Sequence, residues 1–306
     1  NSISLQINDT RILHNASACL GPGELLGLIG PNGAGKTSLL RVLANLQKPD
    51  SGEVLYSGQA LNTINRRTLA QAMGYLAQGA PAHWPLKVKR LVELGRLPHL
   101  SPWSGLAGDD HQAVTQAMVQ AEVTHLADRV VSTLSGGERL RVLLARLFAT
   151  NPTVILADEP IAALDPYHQL HTMELLKQHC QRGGSAVVVL HDLNMAARFC
   201  DRLVLMDHGE IAIAGSADAV LSNPKLSDVY GIEIEALKGK TGTVLIPHCR
   251  IDYKIHAISI ASSAGTRLNT SKITRKNHKP GEQKTIFTGR FLLLTINNDP
   301  LAACIC

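Results

Sequence analysis

A glycine-rich run of eight residues carries the clearest chemistry in the sequence. Residues 30–37 read Gly-Pro-Asn-Gly-Ala-Gly-Lys-Thr and fit the spacing G-x-x-x-x-G-K-[ST]. Glycines allow the backbone to wrap around a phosphate with its N–H groups aimed inward. Lys36 supplies a positive charge for the β- and γ-phosphates, and the Thr37 hydroxyl suits Mg²⁺. The run predicts a nucleotide site formed by Gly30, Pro31, Asn32, Gly33, Ala34, Gly35, Lys36, Thr37 and Ser38.

Two adjacent acids provide the second chemical signal. Asp158 and Glu159 follow directly on the apolar run 154–157. A strand that ends in acids places their carboxylates at the carboxyl edge of a sheet, where ligands bind in α/β folds. We expect Asp158 to hold Mg²⁺, directly or through water, and Glu159 to polarise an attacking water as general base.

The elements that position these residues are indicated by apolar runs. Leu25–Ile29, Thr153–Ala157 and Ala186–Leu190 are almost continuously apolar, which is typical of strands covered on both faces of a parallel sheet. Helical patterns separate them, notably from Lys36 to about Leu46 and over His168–His179. The alternation predicts βα units wound around one sheet.

Two segments depart from that alternation. Between Gly79 and Ser132 the pattern is helical, with candidate helices over Lys87–Leu94 and Asp110–Ala121, and predicts a helical insertion. Residues 252–306 are rich in Ser, Thr, Asn and Lys and show no regular period, so we expect a disordered tail or one not native to the domain.

Composition limits the classes of function. The tail carries eight Lys and Arg against three Asp and Glu, which leaves 22 of each sign in residues 1–251. Because the main domain is neutral, we expect no nucleic-acid partner. No run approaches the roughly 20 apolar residues of a membrane-spanning helix, and no secretory pattern is present. We expect a soluble, cytoplasmic chain whose six scattered cysteines are reduced thiols.

A third motif reveals a family resemblance. Leu134-Ser135-Gly136-Gly137-Glu138 resembles the signature motif of ABC ATPases. Ser135 is a suitable cap for a helix whose first N–H groups could hold a second anion. In that family the motif closes over the nucleotide of the opposite subunit. The resemblance therefore implies a head-to-tail homodimer in which Ser135, Gly136, Gly137 and Glu138 contact the partner's ATP.

Further motifs follow in the order of the family. Gln78 resembles the glutamine that approaches Mg²⁺ and the attacking water, Ala163-Leu164-Asp165 resembles the D-loop, and His191 resembles the switch histidine at the γ-phosphate. The resemblance covers roughly residues 2–248. It implies an α/β P-loop NTPase with a mainly parallel sheet, an N-terminal antiparallel β portion, and a helical subdomain at about 79–150 inserted in a cassette of residues 1–250. Residues 251–306 would form the tail.

A narrower resemblance concerns transport. Residues 92–99, Val-Glu-Leu-Gly-Arg-Leu-Pro-His, are similar to a segment of the ATPases of iron-chelate, haem and cobalamin importers, and His168–Leu170 and His191–Arg198 agree with that branch. It implies an ATPase for uptake of a siderophore or haem, with cobalamin as the alternative. The implied partners are two membrane-spanning permease subunits and, indirectly, a periplasmic or surface substrate-binding protein. The implied location is peripheral, on the cytoplasmic face of the bacterial inner membrane.

Departures from the family pattern leave alternatives open. The family places an adenine-stacking aromatic near residues 7–11, but no aromatic precedes Tyr56. Arg11 could stack instead through its planar guanidinium, or selectivity for the base could be loose. The signature ends in Glu138, where Gln is commonest. A nucleotide-binding partner with little activity is one alternative, against which Glu159 and His191 argue.

Two other classes fit the phosphate loop. Soluble ABC proteins that act on ribosomes or DNA typically carry two cassettes or a long coiled-coil insertion, whereas only about 55 residues separate Gln78 from Leu134. A P-loop kinase or GTPase would have no use for residues 134–138.

Overall fold

The computed structural model describes residues 2–79, 85–101, 105–239 and 242–251, so the predicted tail at 252–306 lies outside the described residues. The strands are β1 Ile3–Ile7, β2 Thr10–Ala16, β3 Leu25–Ile29, β4 Leu55–Tyr56, β5 Gln59–Ala60, β6 Met73–Leu76, β7 Val154–Asp158, β8 Ser185–Val189, β9 Arg202–Asp207, β10 Glu210–Ser216, β11 Ile232–Gly239 and β12 Gly242–Arg250. The α-helices are α1 Lys36–Leu43, α2 Arg66–Ala72, α3 Val88–Glu93, α4 Gly108–Gln120, α5 Gly136–Ala149, α6 Pro166–Gln181, α7 Leu193–Phe199, α8 Ala217–Leu221 and α9 Lys225–Tyr230.

Six strands form the central sheet in the order β10-β9-β3-β8-β7-β6. All neighbours pair parallel except β10, which is antiparallel to β9. The carboxyl ends of β3, β6, β7 and β8 consequently meet at one edge, and each predicted catalytic segment follows one of these strands. The mainly parallel α/β sheet predicted from the sequence is confirmed.

Both faces of the sheet are buried. In β3, Leu25 and Ile29 belong to one apolar cluster, whereas Leu26 and Leu28 belong to a second one. The same alternation holds along β8 and β9. Two-sided burial explains why these strands are continuously apolar rather than alternating.

The N-terminal hairpin closes one of these faces. β1 and β2 pair antiparallel, and Leu5 and Leu13 pack into the cluster that contains Leu26 and Leu40. This arrangement confirms the antiparallel N-terminal portion. It also brings β2 against the residues that follow β3, so that the Ile12 carbonyl lies beside Gly35.

Helices α3, α4 and α5 pack together within the predicted helical segment. Arg96, directly after α3, donates to Asp110 of α4 at 2.8 Å and to the Ala149 carbonyl of α5 at 2.9 Å. His99 lies 2.9 Å from the carbonyl of Thr150. The importer-like segment at 92–99 therefore holds these helices together.

Most predicted elements coincide with observed ones. β3 has the predicted bounds, and β7, β8, α3 and α4 differ from their predictions by one or two residues at an end. The helix from Lys36 ends at Leu43 instead of about Leu46, because Asn45 takes a left-handed φ of 56°. Among the helices of the described ranges, none is both long and apolar enough to cross a membrane.

Candidate functional site

The loop between β3 and α1 requires glycine at two positions. Gly30 has φ 141°, and a Cβ there would lie 2.2 Å from the carbonyl oxygen of Met206. Gly35 has φ 94°, and its Cβ would lie 2.9 Å from the Ile12 carbonyl oxygen. Ala34 is buried between them, whereas Asn32 and Gly33 are exposed at the rim. The loop is thus pressed between β9 and the hairpin, with its outer rim open.

Lys36 lies inside this loop. It is 6% exposed, and its Nζ donates to the carbonyls of Gly30 at 2.7 Å and Pro31 at 2.8 Å. Burial lowers the pKa of Lys36, and the nearby carboxylates of Glu159 and Asp158 oppose that shift. An ammonium has three N–H donors, so one remains for a phosphate oxygen.

Thr37 and Asp158 form a pair of oxygen groups below the loop. Thr37 Oγ1 donates to Asp158 Oδ1 at 3.1 Å. Asp158 is 2% exposed, and burial raises the pKa of its carboxyl. Its Oδ2 is buried without a hydrogen-bond partner among the described residues. A buried oxygen left unpaired beside a hydroxyl is a fitting place for Mg²⁺, a hard cation that takes oxygen ligands.

The structure supplies few protein ligands for such an ion. Within the described ranges, no group of three or more His, Cys, Asp and Glu side chains is placed to hold a metal. This agrees with Mg²⁺, which is usually bound by one or two protein groups together with substrate phosphates and water. The amide of Gln78, a predicted third ligand, hydrogen-bonds to Glu159 in this structure.

Glu159 occupies the centre of the sheet edge. Its Oε2 accepts from Gln78 Nε2 at 2.7 Å, and its Oε1 is paired with His191 Nε2. Gln78 follows β6 and His191 follows β8, so the two strands beside β7 each contribute one partner. Glu159 itself has a left-handed φ of 52°. Gln78 and His191, two of the three predicted catalytic residues, therefore both contact the third, Glu159.

The signature segment is a completed helix cap. Ser135 Oγ accepts from the backbone of Glu138 at 3.2 Å, and the Ser135 N–H donates to Glu138 Oε2 at 2.8 Å. Arg129 pairs with Glu138 at 3.2 Å. Hydrogen bonding of the Glu138 carboxyl to the Ser135 backbone N–H, then to the Ser135 hydroxyl, and the charge of Arg129 hold the pKa of Glu138 below its usual range. In this part of the described chain no hydrogen bond or ion pair joins residues 135–138 to the phosphate loop.

Asp165 lies next to the signature segment. It caps α6 by accepting from the His168 backbone at 3.1 Å, and its other oxygen is 2.7 Å from His168 Nδ1. These bonds lower the pKa of Asp165. A Cβ on Gly137 would lie 3.5 Å from the Ala163 carbonyl, so the two segments that the resemblance assigns to the subunit interface are neighbours.

One contact of the loop had no signal in the sequence. The Gly30 N–H donates to Tyr230 Oη at 2.8 Å, across 200 positions of the chain. A Tyr at the end of a short helix is usually a packing residue, and no motif marks Tyr230. Arg11, the residue suggested for stacking on adenine, is exposed on β2. It lies one residue before Ile12, whose carbonyl is next to the loop.

Comparisons with known proteins agree with this geometry. The family described as ABC transporter matches residues 13–162. The hemin import ATP-binding protein HmuV of Pseudomonas aeruginosa is 40% identical over 238 residues, covering 76% of this chain and 92% of that protein. The cobalamin import ATP-binding protein BtuD of Halobacterium salinarum is 38% identical over 221 residues, covering 72% of this chain and 55% of that protein.

Solved structures give the same fold. An inward-facing metal-chelate type ABC transporter superposes with a TM-score of 0.69 at 24% identity, covering 81% of this chain and 95% of that one. A dimeric ATP-binding cassette in a post-hydrolysis state, bound to ADP and Pi, superposes with a TM-score of 0.62 at 28% identity, covering 71% and 97%.

Proposed function

Because this chain belongs to the ABC transporter family of ATP-binding proteins, we propose that it is the ATP-hydrolysing subunit of a bacterial importer of haem or an iron chelate (siderophore). The observation that carries the proposal is the position of Glu159, held between Gln78 and His191 at the sheet edge that the phosphate loop also occupies. A packing role alone would not bring a base, its two polar neighbours and a phosphate loop to one edge.

ATP binding involves the loop and the first turn of α1. Backbone N–H groups of the loop and of the start of α1 would face the β-phosphate, and Lys36 would turn its remaining N–H toward the β/γ oxygens. Thr37 and Asp158 would hold a magnesium ion, with Gln78 approaching it once ATP is present. Bound there, the ion neutralises charge on the phosphate oxygens.

Hydrolysis depends on the residues around Glu159. Glu159 accepts a hydrogen bond from water and takes its proton as the oxygen attacks the γ-phosphorus. The bond from that phosphorus to the β–γ bridging oxygen breaks, and ADP and phosphate leave. His191 and Gln78, which contact Glu159 here, hold the γ-phosphate oxygens and the water in place.

The second half of each site comes from another copy. Residues 135–138 have capping bonds of their own, with Gly136 exposed and Gly137 half-buried, so a phosphate of the ATP held by a partner subunit can approach them. The similar cassette solved as a dimer with ADP and Pi supports this arrangement. ATP is then gripped between Gly30–Ser38 of one copy and Ser135–Glu138, with Asp165 nearby, of the other.

The relatives support a proposal for the remaining partners and the cargo. Two membrane-spanning permease subunits would anchor the pair of ATPases on the cytoplasmic face of the inner membrane, and a periplasmic or surface protein would deliver the cargo. The hemin import relative supports haem, and the cobalamin import relative makes cobalamin the second candidate.

Reconstitution tests this proposal. The chain is purified together with co-expressed permease subunits and placed in liposomes, and ATP hydrolysis is measured with haem, a ferric siderophore or cobalamin on its binding protein. We expect stimulation by haem or the siderophore. Stimulation by cobalamin alone would make cobalamin the cargo. Failure to purify with any membrane subunit would favour the alternative of a soluble ABC protein that acts on ribosomes or DNA.

A further inference from the structure

Gly30, the first residue of the phosphate loop, is held on both sides by side chains. Its N–H donates to Tyr230 Oη at 2.8 Å, and its carbonyl accepts from Lys36 Nζ at 2.7 Å. The hydroxyl of Tyr230 is therefore connected through one residue to the ammonium group that faces the nucleotide phosphates.

Gly30 has little freedom apart from these bonds. Its φ of 141° is a conformation that other L-residues rarely adopt, and the Met206 carbonyl occupies the place of a Cβ. The β9 backbone thus limits Gly30 on the side where a Cβ would lie. The hydrogen bond to Tyr230 holds its N–H, and its carbonyl accepts from Lys36.

Tyr230 is itself fixed in place. It ends α9, whose Leu226 is 1% exposed and whose Lys225 donates to the Ala212 carbonyl of β10 at 3.2 Å. After it, Gly231 turns the chain with φ 65°, and the Gly231 carbonyl accepts from the backbone of Ile251 at 2.9 Å. Burial raises the pKa of Tyr230 to about 12, so the phenol stays neutral at physiological pH.

We propose that Tyr230 is a positioning residue for ATP: its hydroxyl fixes Gly30, and the Gly30 carbonyl in turn fixes the Lys36 ammonium. Tyr230 does not touch the nucleotide. The inference rests on the proposed function, since it assumes that residues 30–38 bind ATP. It assigns a role in ATP affinity to α9, which contains none of the nucleotide-binding motifs.

The variant Tyr230→Phe keeps the ring and removes the acceptor. Loss of one hydrogen bond should raise the Kd and KM for ATP about three- to tenfold, while kcat stays within about twofold because Glu159 and His191 are untouched. Tyr56→Phe, in the separate β4–β5 hairpin, is the control and should change none of these values. Equilibrium ATP binding and steady-state hydrolysis are measured on the full chain, and melting without nucleotide checks the fold.

A double variant tests the route through Lys36. If Tyr230 acts through that ammonium, Tyr230→Phe should add no further loss of ATP affinity to Lys36→Met. An additive loss would overturn the inference, as would an unchanged Kd in Tyr230→Phe. A fall in kcat accompanied by a lower melting temperature would also overturn it, because the hydroxyl would then support the fold in general. Absence of ATP binding by the unmodified chain would instead contradict the proposed function.

Discussion

The two glycine-bearing segments of this chain have opposite relations to their surroundings. In the phosphate loop, a Cβ on Gly30 or Gly35 would collide with backbone oxygens 2.2 and 2.9 Å away, so packing within the chain excludes any other residue. In the signature segment, a Cβ on Gly136 would meet no atom within 4 Å, and one on Gly137 would make ordinary contacts. Both of these residues begin α5, where alanine is the better helix former.

The difference separates glycines that the fold of one chain requires from glycines that a contact between two copies would require. The glycines of the loop are explained by the fold that contains them. Those of the signature segment have no explanation in the described part of the chain, whereas close approach of a partner's nucleotide would supply one. Substitutions at the two places should therefore divide into effects on one copy and effects on pairing.

The largest effect is expected within the chemistry of one copy. Glu159→Gln keeps the shape and an acceptor for Gln78 but removes the base, so hydrolysis should fall about 100-fold or more. ATP binding should persist because the loop is unchanged. Phosphate release and equilibrium ATP binding measure the two quantities. Hydrolysis at the unmodified rate would mean that another group takes the proton.

A smaller effect should come from the segment that one copy leaves open. In Gly136→Ala the added methyl has room in a single chain, so the melting temperature should stay the same or rise slightly. Hydrolysis should nevertheless fall about tenfold, because a methyl inserted into a closely packed contact between copies costs on the order of 1–3 kcal/mol. Hydrolysis and thermal melting are measured side by side.

The control for that variant is another glycine at a helix start. Gly108 begins α4, and a Cβ there would likewise meet nothing within 4 Å. Gly108→Ala should leave hydrolysis unchanged. If Gly136→Ala also hydrolyses ATP at the full rate, the signature segment is not part of a shared site. The proposed reason for its glycines, contact with a partner's nucleotide, would then be wrong.

The smallest effect concerns the cap itself. Glu138→Gln retains an acceptor for the Ser135 N–H but loses the charge that pairs with Arg129. We expect hydrolysis within about twofold of the unmodified chain and a melting temperature lower by about 1–3 °C at pH 7.

The pH dependence of this last difference has a definite sign. The pKa of Glu138 is lowered in the folded chain, so its contribution is present above the unfolded value of about 4.3. It is lost as the pH falls through the folded pKa. Melting curves of Glu138→Gln and the unmodified chain should therefore converge on acidification, and a difference that persists at low pH would refute the assigned cause.

Local motifs indicate which residues lie at the shared sheet edge better than they indicate the contacts that support this edge. The strands before Gly30, Asp158 and His191 are apolar enough to be located from the sequence, and in a parallel sheet their ends meet at one edge. The contacts of Gln78 and His191 with Glu159 follow from that arrangement. The predicted helix extends past the observed end of α1, because the apolar pattern does not show the left-handed conformation of Asn45.

Long-range supports had no local signal. The bond from Gly30 to Tyr230 joins residues 200 positions apart, and neither residue type distinguishes it from ordinary packing. The bonds of Arg96 to α4 and α5 are of the same kind: the sequence marks Arg96 as part of a transporter-like segment, but only the fold shows that it braces helices. Such contacts depend on the assembled topology rather than on spacing.

The place of β3 in the sheet also sets an order of events during synthesis. β3 is fully buried, yet its partners are β8 and β9, so its edges stay unmatched until about residue 207 has left the ribosome. At 5–20 residues per second that wait is roughly 10–35 s. A nascent chain of this protein thus carries an apolar, unpaired segment until β8 and β9 have been made. Messages truncated before β8 should yield aggregates rather than a half-built ATPase.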